Sequence, residues 1–192
     1  MIWSVASGGN VSALAAKATT MSPNEPVAGR ACGGCTLCCK VLGVPALNKP
    51  QGKWCTHCKP GNGCGIYEDR PDECRTFLCN WLVDQRLGAE WKPDRSRLVV
   101  TNTKDMIEVR CDPGYPAAWR KEPYYSQIRA WAQAARQQKG IVLIFVGDSR
   151  TLIAPEGEFP LGRIRVENLV LEFSGDRLTG VRLEQGSGIR KG

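Results

Sequence analysis

Several things that this 192-residue chain has little of narrow what it can be. It holds one histidine, His57, so a Cys–His or Ser–His–Asp mechanism has no other imidazole to draw on. Aromatic residues make up 7% and do not alternate regularly with basic ones, which gives no base-stacking face. No window reaches the roughly 18 continuous apolar residues of a membrane helix. Runs of five like charges are absent, and with them any basic arm of the kind that grips phosphates. The glycine clusters at Gly8-Gly9, Gly33-Gly34 and Gly61, Gly63, Gly65 are not followed by the Gly-Lys-Ser/Thr of a phosphate loop. There is no internal repeat.

What is present is a globular composition, 42% hydrophobic and 23% charged, which excludes disorder over most of the length. The formal charge of +7 and pI near 9.0 invite a nucleic-acid reading. That charge counts every thiol as neutral, however, and deprotonation of the cysteines on metal would cancel much of it. Nucleic acid is therefore not the expected partner, and a zinc-type nucleic-acid-binding module stays as the last of the alternative readings; a metal ion is the expected partner, with a protein partner as a further expectation.

Ten cysteines are the anomaly, and nine lie between Cys32 and Cys79. Their spacing is Cys32-x2-Cys35-x2-Cys38-Cys39, Cys55-x2-Cys58-x5-Cys64 and Cys74-x4-Cys79. A C-x2-C turn brings two thiolates toward one ion while backbone N–H groups point at the sulfurs. Two such turns with further cysteines make a metal reading, with all nine as candidate ligands. Adjacent Cys38 and Cys39 would face opposite ways in extended chain, which suggests two centres, a polynuclear centre, or a ligand beside a non-ligand. Two Zn(Cys)4 sites or an iron–sulfur cluster would both use these thiols, and spacing does not choose between them. Disulfides fit badly: the count is odd and no secretory signal precedes the cluster. His57, within Trp54-Cys55-Thr56-His57-Cys58, is read as a neighbour of the ligands or as solvent-facing before it is read as a ligand. Cys111, outside the cluster, is read as a buried thiol.

Residues 1–29 read as a disordered leader, with Met21 as an alternative start, because no basic n-region and no unbroken apolar stretch of roughly 7–15 residues marks export. A cytoplasmic location is the corresponding expectation. Residues 30–88 form the cysteine module, 89–186 an α+β region packed on it, and 187–192 a flexible tail. The Cys32–Cys64 stretch has few apolar residues, among them Val41, Leu42, Val44, Leu47 and Trp54, and needs cross-links to hold a shape. The sequence Glu68–Gly88 predicts one helix, capped by Asp69 and closed by Gly88, with Arg75 either acidifying Cys74 or forming a surface ion pair with Asp72 or Glu68, and with Tyr67, Phe77, Trp81 and Trp54 shielding the metal. In such a helix Cys74 and Cys79 would point about 140° apart. Strands are predicted at 97–100 and 106–110, a helix over Pro123–Lys139, a hairpin about Gly147-Asp148-Ser149, and strands on either side of Ser174-Gly175-Asp176. The expected fold class is α+β: a metal-stabilised cysteine-rich N-terminal module followed by a small antiparallel-sheet region with one long helix.

The stretch Cys64-x-Ile66-Tyr67-x2-Arg70-Pro71-x2-Cys74-Arg75-x-Phe77, with the cysteine pairs before it, resembles the YkgJ-like cysteine-cluster family, a zinc- or iron-chelating domain. The likeness covers roughly residues 30–85. It implies chelation through Cys35, Cys38 and Cys39, one or both of Cys55 and Cys58, then Cys64, Cys74 and Cys79. Cys32 and the full Trp-Cys-x-His-Cys turn depart from the pattern. A distant relative of that family, the flagellin lysine N-methylase, is described as carrying an iron–sulfur cluster in a similar cysteine arrangement, which implies an iron–sulfur-dependent modifying enzyme as a second reading.

Overall fold

The computed structural model describes residues 25–103, 105–138, 140–175 and 177–183. The expected leader lies outside these up to residue 24, and the expected tail lies outside them altogether. Among the described residues no helix is long and apolar enough to cross a membrane.

Chain order begins with short elements: α1 (Cys38–Val41), β1 (Cys58–Lys59), β2 (Gly63–Cys64), α2 (Asp72–Arg75), α3 (Asn80–Val83) and α4 (Pro93–Ser96). Longer ones follow: β3 (Leu98–Asn102), β4 (Met106–Cys111), α5 (Tyr124–Gln137), β5 (Ile141–Val146), β6 (Ser149–Ala154), β7 (Gly157–Gly162), β8 (Leu169–Ser174) and β9 (Arg177–Leu183). The α+β class holds.

The central sheet runs β3-β4-β5-β6-β7, and β8-β9 form a separate hairpin. Every neighbouring pair in the sheet is antiparallel except β4 with β5, which are parallel. The expected antiparallel pairing thus holds at three of the four contacts in this sheet, and β4 with β5 departs from it. Helix α5 lies between those two strands in sequence, and a helical crossover is the usual way to bring two successive strands into parallel register. Strand β7 was not anticipated, because glycines bound it and Pro160 lies within it; proline is tolerated on an edge strand, where β7 sits.

The unbroken apolar run of β5 is explained by burial on both faces. Val142 and Ile144 join Ile128 and Ala132 of α5 in one core. Leu143 and Phe145 join Leu178 of β9 in another, with Leu171 and Val181 beside them. Three layers result: α5, the sheet, and the β8-β9 hairpin.

Strand β3 uses the same alternation to seat the cysteine module. Leu98 and Val100 belong to the α5 core. Val99, fully buried, packs with Leu37, Val41, Cys79 and Leu82. The module is also tied to the sheet by an ion pair between Lys40 Nζ and Asp112 Oδ1 at 2.6 Å. Its entry is fixed by Arg30, whose guanidinium donates to the carbonyls of Trp81, Asp84 (2.9 Å), Gln85 (3.4 Å) and Leu87 (2.7 Å). Those acceptors lie in and just after α3, where helical carbonyls lack partners of their own.

Candidate metal centre

The single helix expected over 68–88 is two one-turn helices with a break between them. Helix α2 ends at Arg75, and its first residue follows Pro71 with no side-chain cap from Asp69. The chain is extended again at Cys79 (φ −76°, ψ 157°), which precedes α3. Gly88 starts a 3-10 turn over Ala89–Trp91 instead of closing a helix. Phe77, Leu78 and Cys79 all pack into the cluster around Leu37 and Leu82. Three successive helical residues fan through about 200° and could not all face one cluster, so tertiary burial overrides the helical periodicity.

Local turns then present the thiols. The Cys35 N–H donates to Cys32 O at 2.8 Å, closing the first C-x2-C turn over Gly33 (φ +53°). A Cβ on Gly34 would collide with the carbonyl oxygen of Gly61, so this turn lies directly on the Cys58–Cys64 loop. Thr36 supports the contact by accepting from the Gly61 N–H at 3.2 Å. Cys38 and Cys39 sit in α1, not in extended chain. The Cys55 N–H donates to Cys39 O at 3.0 Å, and the Cys58 N–H to Cys55 O at 3.1 Å. In the β1-β2 ladder Cys58 is directly opposite Cys64, which places both on one face.

All nine clustered cysteines are free thiols, as is Cys111. Eight of the nine line a single cavity of about 380 Å³. Cys58 is the exception; its thiol is hydrogen-bonded to Cys39, which in turn is bonded to Cys38. Among the described residues, no three histidine, cysteine or acidic side chains converge on one point closely enough to hold an ion. The thiols therefore surround a space and do not form a closed tetrahedron.

Charge couples the thiols to one another across the cavity. The Cys79 thiol, pushed up to about 11 chiefly by burial, also feels Cys32 and Cys35. The Cys74 thiol, raised first by burial, feels Cys39, Cys55 and Cys64. The two thus feel different thiols, and the helix in which they would point about 140° apart is broken between them. Cys39 is held far above the ordinary thiol range, first by its hydrogen bond to Cys38 and then by burial. Burial and then the charge of Cys39 push Cys58 up to about 11; burial also raises Cys32 and Cys35. Packed thiols in an apolar wall keep their protons until a cation offers a better partner.

His57 is exposed, and its carbonyl accepts from Gly65 N at 2.7 Å. Phe77 and Tyr67 line the cavity, but Trp54 is 42% exposed and away from it. Trp81 lies between two apolar cores, one of which contains Cys79, and its backbone N–H bonds the Cys79 thiol. Arg75 is exposed, and Arg70 takes the place expected for it: Arg70 opposes the rise at Cys32 and Cys74 and stacks on Tyr67, 3.6 Å from the ring centre. Cys111 ends β4, 1% exposed, and its thiol bonds Tyr115 O at 3.1 Å.

Two residues at the site carried no sequence signal. Asp94, in the first turn of α4, hydrogen-bonds Cys35 through its backbone N–H, and its buried Oδ1 has no partner. Lys49 is a buried lysine in the cavity wall. Nothing in their neighbours distinguishes either from the chain's many other charged residues. Compared with family models, curated proteins and solved structures, the chain gives no match.

Proposed function

We propose that this chain is a metal-binding protein that chelates zinc or iron, an iron–sulfur cluster included, on the thiols around the Cys32–Cys79 cavity. The observation that carries the reading is the gathering of eight cysteines from six separate short segments around one space, with the ninth bonded to its rim. A donor set that is nearly all sulfur suits zinc and iron–sulfur centres and not hard cations such as magnesium. The volume of about 380 Å³ exceeds what one ion needs and accommodates two centres or a polynuclear one. Likeness to the YkgJ-like family over residues 30–85 supports the same reading.

The second reading, an iron–sulfur-dependent modifying enzyme distantly similar to flagellin lysine N-methylase, is favoured by one feature. The cavity wall continues past the thiols along Ile66, Tyr67 and Phe77, which leaves apolar surface where a substrate could lie beside a centre.

Anaerobic purification followed by elemental analysis and an absorption spectrum tests both readings. Zinc at about two per chain without colour supports chelation and excludes the iron–sulfur enzyme. Iron with acid-labile sulfide and absorbance near ~400 nm excludes the two-zinc arrangement. A chain with neither metal overturns the proposal.

A further inference from the structure

One buried cation stands among the thiols without a counter-charge. Lys49 is 7% exposed and lines the cysteine cavity. An ammonium has three donors, and Lys49 directs its own to main-chain carbonyls: Lys40 O and Pro50 O at 3.2 Å each, and Leu42 O. The ion pairs of the described residues do not include it. The neighbouring Lys40 is taken by Asp112. A buried charge is normally answered by an opposite one. Here the groups facing Lys49 that can become anionic are Cys55, Cys39, Cys38 and Cys74.

We propose that Lys49 is the built-in counter-charge of the metal–thiolate centre, stabilising from the cavity wall the anionic complex that Cys38, Cys39, Cys55 and Cys74 form with zinc or iron. The inference rests on the metal-binding reading. A divalent ion held by four thiolates carries a net charge of about −2, and in a half-enclosed apolar cavity that charge is poorly screened. Because the Lys49 donors are spent on carbonyls, the residue acts through its charge and not as a ligand or as a hydrogen-bond donor to sulfur. It is a positioning residue whose contribution is affinity.

The test titrates the full chain, reduced and metal-free, with cobalt(II) in competition with a chelator, reading the sulfur-to-metal absorption. Wild type is compared with Lys49→Arg, Lys49→Gln and Lys49→Met, and hydrogen exchange of the five-stranded sheet reports whether each variant is folded. Arginine keeps the charge, glutamine keeps a donor for the carbonyls without it, and methionine keeps neither. Lys49→Arg should bind within about threefold of wild type, while Lys49→Gln and Lys49→Met should each bind about tenfold or more weakly. Should Lys49→Met fail to fold, the glutamine–arginine comparison decides. Wild-type affinity in Lys49→Gln overturns the inference and leaves the metal reading intact, as does equal loss in Lys49→Arg and Lys49→Gln. Wild type that takes up no cobalt overturns both.

Discussion

At the scale of single residues the ten cysteines divide by surroundings, and the division is measurable. Replacing Cys35, Cys38, Cys64, Cys74 or Cys79 singly by alanine should lower bound metal, because each thiol faces the common cavity. Cys111→Ala should leave metal content unchanged and cost about 1 kcal/mol of stability, the scale for removing a small buried group. Metal loss in the Cys111 variant would place a ligand outside the cluster. Cys111 also predicts a pH dependence. Burial lifts its thiol from 9.0 to about 11, so the folded chain keeps a proton that the unfolded chain sheds between those values. The stabilisation is present in full below pH 9.0 and is lost as the pH rises through about 11, at most about 2–3 kcal/mol. Urea unfolding of wild type and Cys111→Ala from pH 8 to 11 should therefore show their stability gap closing and then reversing; a constant gap contradicts the assignment.

At the scale of elements the sheet and the cysteine module should answer differently to metal removal. In Cys32–Cys64 the buried apolar residues are Leu37, Val41 and Val44, too little burial to offset the entropy of ordering that length of loop. A strong chelator under reducing conditions should abolish hydrogen-exchange protection there and leave β3–β6 protected. Unchanged protection of the module would show that its own contacts suffice. The same contrast governs what was legible beforehand. Helix α5 and strand β5 follow their periodicity because each is long and buries regular positions such as Ile128, Ala132, Val142 and Ile144. The C-x2-C turns were legible because their spacing alone fixes local geometry. The break between Arg75 and Cys79 was not, since it depends on Leu37, Leu82 and Val99 arriving from elsewhere in the chain. The parallel pairing of β4 with β5 and the edge strand β7 likewise depend on partners and not on local pattern. Lys49 and Asp94 were invisible for a related reason: their importance comes from burial, which no neighbouring residue announces.

At the scale of the whole molecule the sheet acts as a floor for the thiols. Val99 turns one way into the cysteine module while Leu98 and Val100 turn the other way under α5, so the cavity is built on the most deeply buried part of the fold. Such a base lets the loops above it stay irregular and still hold Cys32, Cys39, Cys64 and Cys74 in register. The claim on which the account turns is that these sulfurs are the ligands of a metal. X-ray absorption at the metal edge, on the full chain purified anaerobically, tests it most directly. The account predicts a nearest shell dominated by sulfur at about 2.3 Å, lost in part when Cys74 and Cys79 are both replaced by alanine. A shell of nitrogen and oxygen alone, or one unchanged in that double variant, would contradict it.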